Sequence, residues 1–84
     1  MSLTNRQLIE RYVADPDLVR RANSLSYHGG VLYSYAEPIA RYKDGVFTVS
    51  RKKWSVTTSR HVNTLLGILS QRGKTYAVTV DRLM

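Results

Sequence analysis

Apolar and polar positions alternate along this chain with two periods, and the changes of period divide it into elements. The first period is helical. Leu8, Ile9, Tyr12 and Val13 recur on one face of a stretch over residues 5–14. Thr4 and Gln7 have capping-box spacing, and Leu3 and Leu8 occupy the hydrophobic-staple positions around that cap. Asp15-Pro16-Asp17 predicts a stop and a restart, since Asp15 suits an N-cap and Pro16 the first helical position. A short second helix over residues 16–22 is expected, with Arg20 and Arg21 in a last turn where the helix dipole favours cations.

From Asn23 the period becomes two. Residues 24–28 and 31–35 flank Gly29-Gly30, a two-residue loop able to supply positive φ at both positions. Residues 39–43 and 46–50 flank Asp44-Gly45, a strong hairpin signal. A type I′ turn there pairs Lys43 with Val46, Tyr42 with Phe47 and Ala40 with Val49. Ala40, Tyr42, Phe47 and Val49 then share an apolar face, and Arg41, Lys43, Thr48 and Ser50 share the other. Glu37-Pro38 marks the corner between the hairpins, with Pro38 at a strand start.

The helical period returns at Val62, Leu65, Leu66 and Leu69, predicting a helix over residues 59–72 capped by Thr58 or Ser59. Gly67 within it reads as a point of close packing on the sheet, and Gly73 as the residue that ends it. Over residues 74–80, Tyr76, Val78 and Val80 alternate with Thr75, Ala77 and Thr79, a half-buried closing strand. The tail from Asp81 to Met84 is expected to be short and loose. The fold class that follows is α+β. An antiparallel sheet (a meander of hairpins plus the C-terminal strand) is packed by one amphipathic helix, with two short N-terminal helices. The 84 residues make a single domain, 1–22 its helical segment and 23–84 its sheet-plus-helix core.

Charge adds a direction to this picture. The net charge is +7, and residues 45–84 hold seven basic side chains against one acidic, Asp81. Residues 1–44 hold six against five. Such asymmetry favours an anionic partner, nucleic acid first. With no Cys, there is no disulfide, thiolate metal site or Cys nucleophile, which suits a reducing compartment. No apolar run has the length of a membrane span and no signal peptide is expected, so the expected location is cytoplasmic.

Candidate chemistry concentrates in the run R-K-K-W-S-V-T-T-S-R-H, Arg51 to His61. Arg51, Lys52, Lys53 and Arg60 bracket Trp54 and the hydroxyls of Thr57, Thr58 and Ser59. A helix start offers free N–H groups and a positive dipole end to an anion, and Trp54 offers a stacking surface. These parts can equally be structural: hydroxyls capping a helix, Trp54 filling the core edge, lysines solvated. His61 is expected to hydrogen-bond locally. Catalysis finds little support, because Ser59 and His61 are two apart and do not face each other on a helix. A hydrolase would need His61 with a carboxylate from elsewhere in the fold. No metal, cofactor or catalytic set is expected. The six tyrosines suggest a second surface: Tyr33 and Tyr35 share a strand face with Val31, with Tyr27 opposite. Aromatic rows of this kind stack single-stranded bases or fill a small core.

The run Trp54 to His61, W-S-V-T-T-S-R-H, with the preceding hairpin and Pro38-Ile39-Ala40-Arg41, resembles a group of small viral proteins. These are uncharacterised domains of bacteriophage and archaeal-virus genomes carrying an aromatic, Ser, then a Thr-Thr-Ser-x-His run. The likeness covers roughly residues 31–69. It implies a virus-encoded accessory protein of the host cytoplasm and carries over no activity. Trp54, Thr57, Thr58, Ser59 and His61 are the positions it marks.

Two functions are therefore expected of the sequence. The first is non-enzymatic binding of nucleic acid, DNA or RNA, through Arg51, Lys52, Lys53, Trp54, Thr57, Thr58, Ser59, Arg60 and His61. The alternative is a protein–protein module, a host-factor inhibitor or assembly component, using the tyrosine-rich sheet or the N-terminal helices. An edge strand able to pair two copies belongs to the same expectation.

Overall fold

A computed structural model of the chain describes every residue except 1, 2, 23, 52–54, 81, 82 and 84. Its elements run α1 (Asn5–Ala14), β1 (Arg20–Arg21), β2 (Leu25–His28), β3 (Val31–Ser34), β4 (Glu37–Lys43), β5 (Val46–Ser50), α2 (Val56–Gln71) and β6 (Tyr76–Thr79). The six strands lie side by side in sequence order. The class is α+β, as the sequence predicts, but the sheet is mixed: β6 runs parallel to β5. The sequence's alternation could not reveal this, since period two is the same in either direction. Parallel neighbours need a crossover, and α2 supplies it by carrying the chain from the end of β5 back to the start of β6.

α1 forms as predicted. Thr4 accepts from the Gln7 N–H while Gln7 reaches back to the Thr4 N–H, completing the capping box. The second N-terminal helix does not form. Residues 16–18 turn, and Arg20 and Arg21 become β1, paired with Tyr27 and Ser26. Leu18 and Val19 are exposed, and a helix of about two turns is too short to repay nucleation without packing. The dipole explanation of the Arg20–Arg21 pair falls with that helix.

Both glycine hairpins form with positive φ at both loop positions, Gly29 and Gly30 in one and Asp44 and Gly45 in the other. The second has the predicted register: Lys43 faces Val46, Tyr42 faces Phe47 and Ala40 faces Val49. On its other face Arg41 and Lys43 are exposed, but Ser50 is wholly buried. The corner lies earlier than predicted, at Tyr35-Ala36, so Tyr35 leaves the strand and Glu37-Pro38 joins β4. Pro38 is tolerated because the ladder is irregular there: Leu32 pairs with Ala40 and Tyr33 with Pro38. Ile39, the extra residue, turns inward beside Ala40, and both are fully buried.

One core joins the layers. α1 contributes Leu8, Ile9, Tyr12 and Val13, and α2 contributes Val62, Leu65, Ile68 and Leu69. The sheet contributes Leu25, Tyr27, Leu32, Ile39, Ala40, Phe47 and Val49. Tyr12 anchors the centre, its ring edge-on to Tyr27 and Phe47 and its hydroxyl donating to the Gly30 carbonyl at 2.8 Å. Ile68 takes the place on the buried stripe expected of Leu66, which is only partly buried. Gly67 faces open space rather than the sheet. Gly73 (φ +64) ends α2, with Gly73 N–H to Ser70 and Lys74 N–H to Leu69 in a Schellman pattern. β6 is not half-buried: Tyr76, Val78 and Val80 are all exposed. The predicted loose tail lies, except for Leu83, outside the described residues.

Candidate functional site

α2 begins three residues before the predicted cap. Ser55 is the N-cap, with extended backbone and an Oγ that accepts the Thr58 N–H at 3.3 Å. Thr57, Thr58 and Ser59 therefore lie inside the helix, and its 3.6 period sorts the run. Thr58 and His61 face inward and are buried, while Thr57 and Arg60 face out and are exposed. The start was hidden because Val56, the first helical residue, is exposed and carries no apolar stripe.

The inward pair belongs to a polar chain that is buried at Ser34, Thr58 and His61 and half-buried at Asn5 and Ser24. The Asn5 amide nitrogen lies 3.3 Å from Ser24 Oγ and 3.3 Å from His61 Nε2. In this orientation Nε2 accepts from the amide; with the amide turned over, Asn5 Oδ1, which is buried without a partner among the described residues, accepts from Nε2–H instead. Nδ1 lies 3.0 Å from Ser34 Oγ, a hydrogen bond whose direction follows the ring tautomer. Ser34 Oγ also lies 3.1 Å from Thr58 Oγ1, which receives the Ser55 hydroxyl at 3.2 Å. The chain thus joins α1, the segment before β2, β3 and the start of α2. Burial lowers the His61 pKa below its usual value, favouring the neutral ring this pattern requires. Asn5, Ser24 and Ser34 were not singled out from sequence, where Ser34 is 27 positions from His61 and Asn5 is 56.

A general base must accept the nucleophile's proton. Ser34, the hydroxyl that His61 meets, is only 1% exposed. The pair holds β3 to α2.

The outward side of the same helix is basic. Arg51 leaves β5 with its N–H on the Thr79 carbonyl, and its guanidinium reaches Asn63 Oδ1 at 3.5 Å. Asn63 is three residues beyond exposed Arg60, so the Arg51 guanidinium stands over the helix face to which Arg60 also belongs. A shallow groove continues that face, lined by Arg6, Asn63, Thr64, Gly67, Ile68 and Gln71. Arg6 is paired with Glu10 at 3.5 Å across an exposed turn. The expected contributions of Lys52, Lys53 and Trp54 lie outside the described residues. Among the described residues, no cluster of His, Asp and Glu could hold a metal ion. No described helix is long and apolar enough to cross a membrane.

Fold and site together define a small two-layer α+β domain, with a buried polar chain under a basic helix face. The chain belongs to a family of unknown function, DUF8033, whose pattern it matches over residues 3–80. No curated protein and no solved structure matches it.

Proposed function

We propose that this domain is a non-enzymatic nucleic-acid-binding protein whose contact surface is the segment from Arg51 to Arg60 and the adjoining face of α2. One observation carries the reading: the Arg51 guanidinium lies at Asn63, one turn beyond exposed Arg60. Lys52 and Lys53 lie between them in sequence, and the whole run contains no carboxylate. Arg51, Lys52, Lys53 and Arg60 contact phosphates in this reading, Thr57 and Ser59 flank them, and Trp54 stacks. Thr58 and His61 act from within, fixing the helix start. The aromatic-Ser-x-Thr-Thr-Ser-x-His run supports a virus-encoded accessory role in a host cytoplasm. Binding of labelled oligonucleotides across a salt series tests the assignment. Arg51→Glu with Arg60→Glu should abolish binding with the unfolding midpoint kept, and unchanged affinity would sink it. Each phosphate contact adds about 0.9 to the log–log salt slope on duplex.

A second reading, partnership with a protein or a second copy, is favoured by β6. The Thr75 and Thr79 carbonyls bond towards β5, so those of Tyr76 and Val78 point to the outer edge. Residues 75–80 carry no charge or proline of the kind that protects edges. Retention of a lysate protein after nuclease treatment, lost in Val78→Lys, would support it.

A further inference from the structure

We infer that the sheet face turned away from the helices is a stacking platform for single-stranded nucleic acid, centred on Tyr33, His28 and Tyr35. This rests on the nucleic-acid reading above and gives it a second surface and a strand preference. Register defines the face. Arg21, Ser26, Tyr33 and Pro38 form one cross-strand row, and His28, Val31, Arg41, Thr48 and Ala77 form the next. The His28 and Tyr33 rings sit diagonally between these rows, 5.4 Å apart. Arg21, Arg41 and Lys43 are exposed here, and none of the strand positions of this face is a carboxylate. A positive face without acids selects a polyanion. Exposed His28 and Tyr35 and half-buried Tyr33 among the cations select one whose bases are free to stack, which a duplex does not offer.

Tyr35 adds an independent pointer. It occupies the turn between β3 and β4 at φ 59, a conformation that glycine adopts freely and a tyrosine does not. Its ring is 63% exposed, so core packing does not account for its presence. The ring borders a depression shared with Arg21 and Ser26, at the end of the Tyr33 row. Strain at an exposed aromatic residue is where a binding role is to be sought.

Fluorescence anisotropy with a labelled oligothymidylate of about 15 nucleotides, matched to the usual span of such platforms, provides the test beside a duplex of equal length. Tyr35→Gly and, separately, Tyr33→Leu should weaken oligothymidylate binding about tenfold, the loss of one stacked base. Duplex affinity and the salt slope should not change. Because glycine suits the turn, the unfolding midpoint of Tyr35→Gly should stay at or above that of the native chain, which a structural role for the ring would not allow. If both variants bind the single strand as the native chain does, the platform is wrong and the Arg51–Arg60 surface stands alone. If the native chain binds neither probe at low salt, both readings fall.

Discussion

His61 Nδ1 lies 3.0 Å from Ser34 Oγ, joining two positions twenty-seven residues apart across the core. Ser34→Ala would leave His61 Nδ1 buried without its partner and remove the hydroxyl that Thr58 Oγ1 meets. An orphaned buried donor or acceptor costs about 1–3 kcal/mol. Urea unfolding should show that loss, with the slope of free energy against urea unchanged. A loss of a few tenths would mean the contact contributes little.

The same contact makes stability depend on pH. Burial holds the folded His61 pKa below its usual value, whereas the unfolded ring titrates near 6.5. Below about pH 6.5 the unfolded chain takes up a proton that the folded chain resists. Stability from the neutral ring is therefore complete above that pH and falls as pH drops through the window between the two values. His61→Gln, polar but not titrating, should flatten this part of the profile between pH 7.5 and 5. An equally steep profile in His61→Gln would place the dependence elsewhere.

Local chemistry made much of the fold legible. The capping box at Thr4 and Gln7 and the two glycine loops each act within a few residues, and all three formed as read. The failures lie where tertiary context decides. Residues 16–22 have good helix-start chemistry but span only about two turns, and became a turn and a short strand instead. α2 starts on an exposed valine, so the apolar pattern pointed to Thr58 or Ser59 while the cap sat at Ser55. The direction of β6 follows from the crossover and leaves no trace in period two. At the site, the sequence marked Thr58 and His61 but could not give their orientation, because their partners Ser34 and Asn5 are distant in the chain.

The two central tyrosines should respond differently to losing a hydroxyl. Tyr12 and Tyr27 are both wholly buried, with rings 5.2 Å apart. The Tyr12 hydroxyl donates to Gly30, and that of Tyr27 has no partner among the described residues. Burial raises the pKa of both, so neither ionises to escape its surroundings. Tyr12→Phe should cost about 1 kcal/mol, and Tyr27→Phe should be neutral or stabilising. Thermal unfolding of the two variants under one buffer decides this, and equal losses would indicate a partner for Tyr27.

Gly30 is fixed by conformation and by space. Its φ is +83, and an added Cβ would stand 2.9 Å from the Tyr42 carbonyl oxygen. Its own carbonyl receives the Tyr42 N–H and the Tyr12 hydroxyl. Gly30→Ala must strain the loop and push two strands apart, a loss of about 1–3 kcal/mol. Gly29 also has positive φ (+58) but open space around it, so Gly29→Asn, suited to that conformation, should be tolerated. Comparable losses at both positions would show that conformation alone governs the hairpin.

Gly67 offers the opposite case, a glycine that nothing in the packing requires. It is exposed in the interior of α2, and an added Cβ meets nothing within 4 Å. Gly67→Ala should therefore stabilise the helix by about 1 kcal/mol. In a domain of this size that raises the midpoint by about 4–8 °C. The position also borders the groove between Arg6 and Gln71, next to Asn63 and Thr64. If nucleic acid contacts end at Arg51 and Arg60, the extra methyl leaves oligonucleotide affinity unchanged while the midpoint rises. A variant that is more stable yet binds more weakly would extend the contact surface along α2 into that groove, because only an approaching backbone or base would notice one methyl group there.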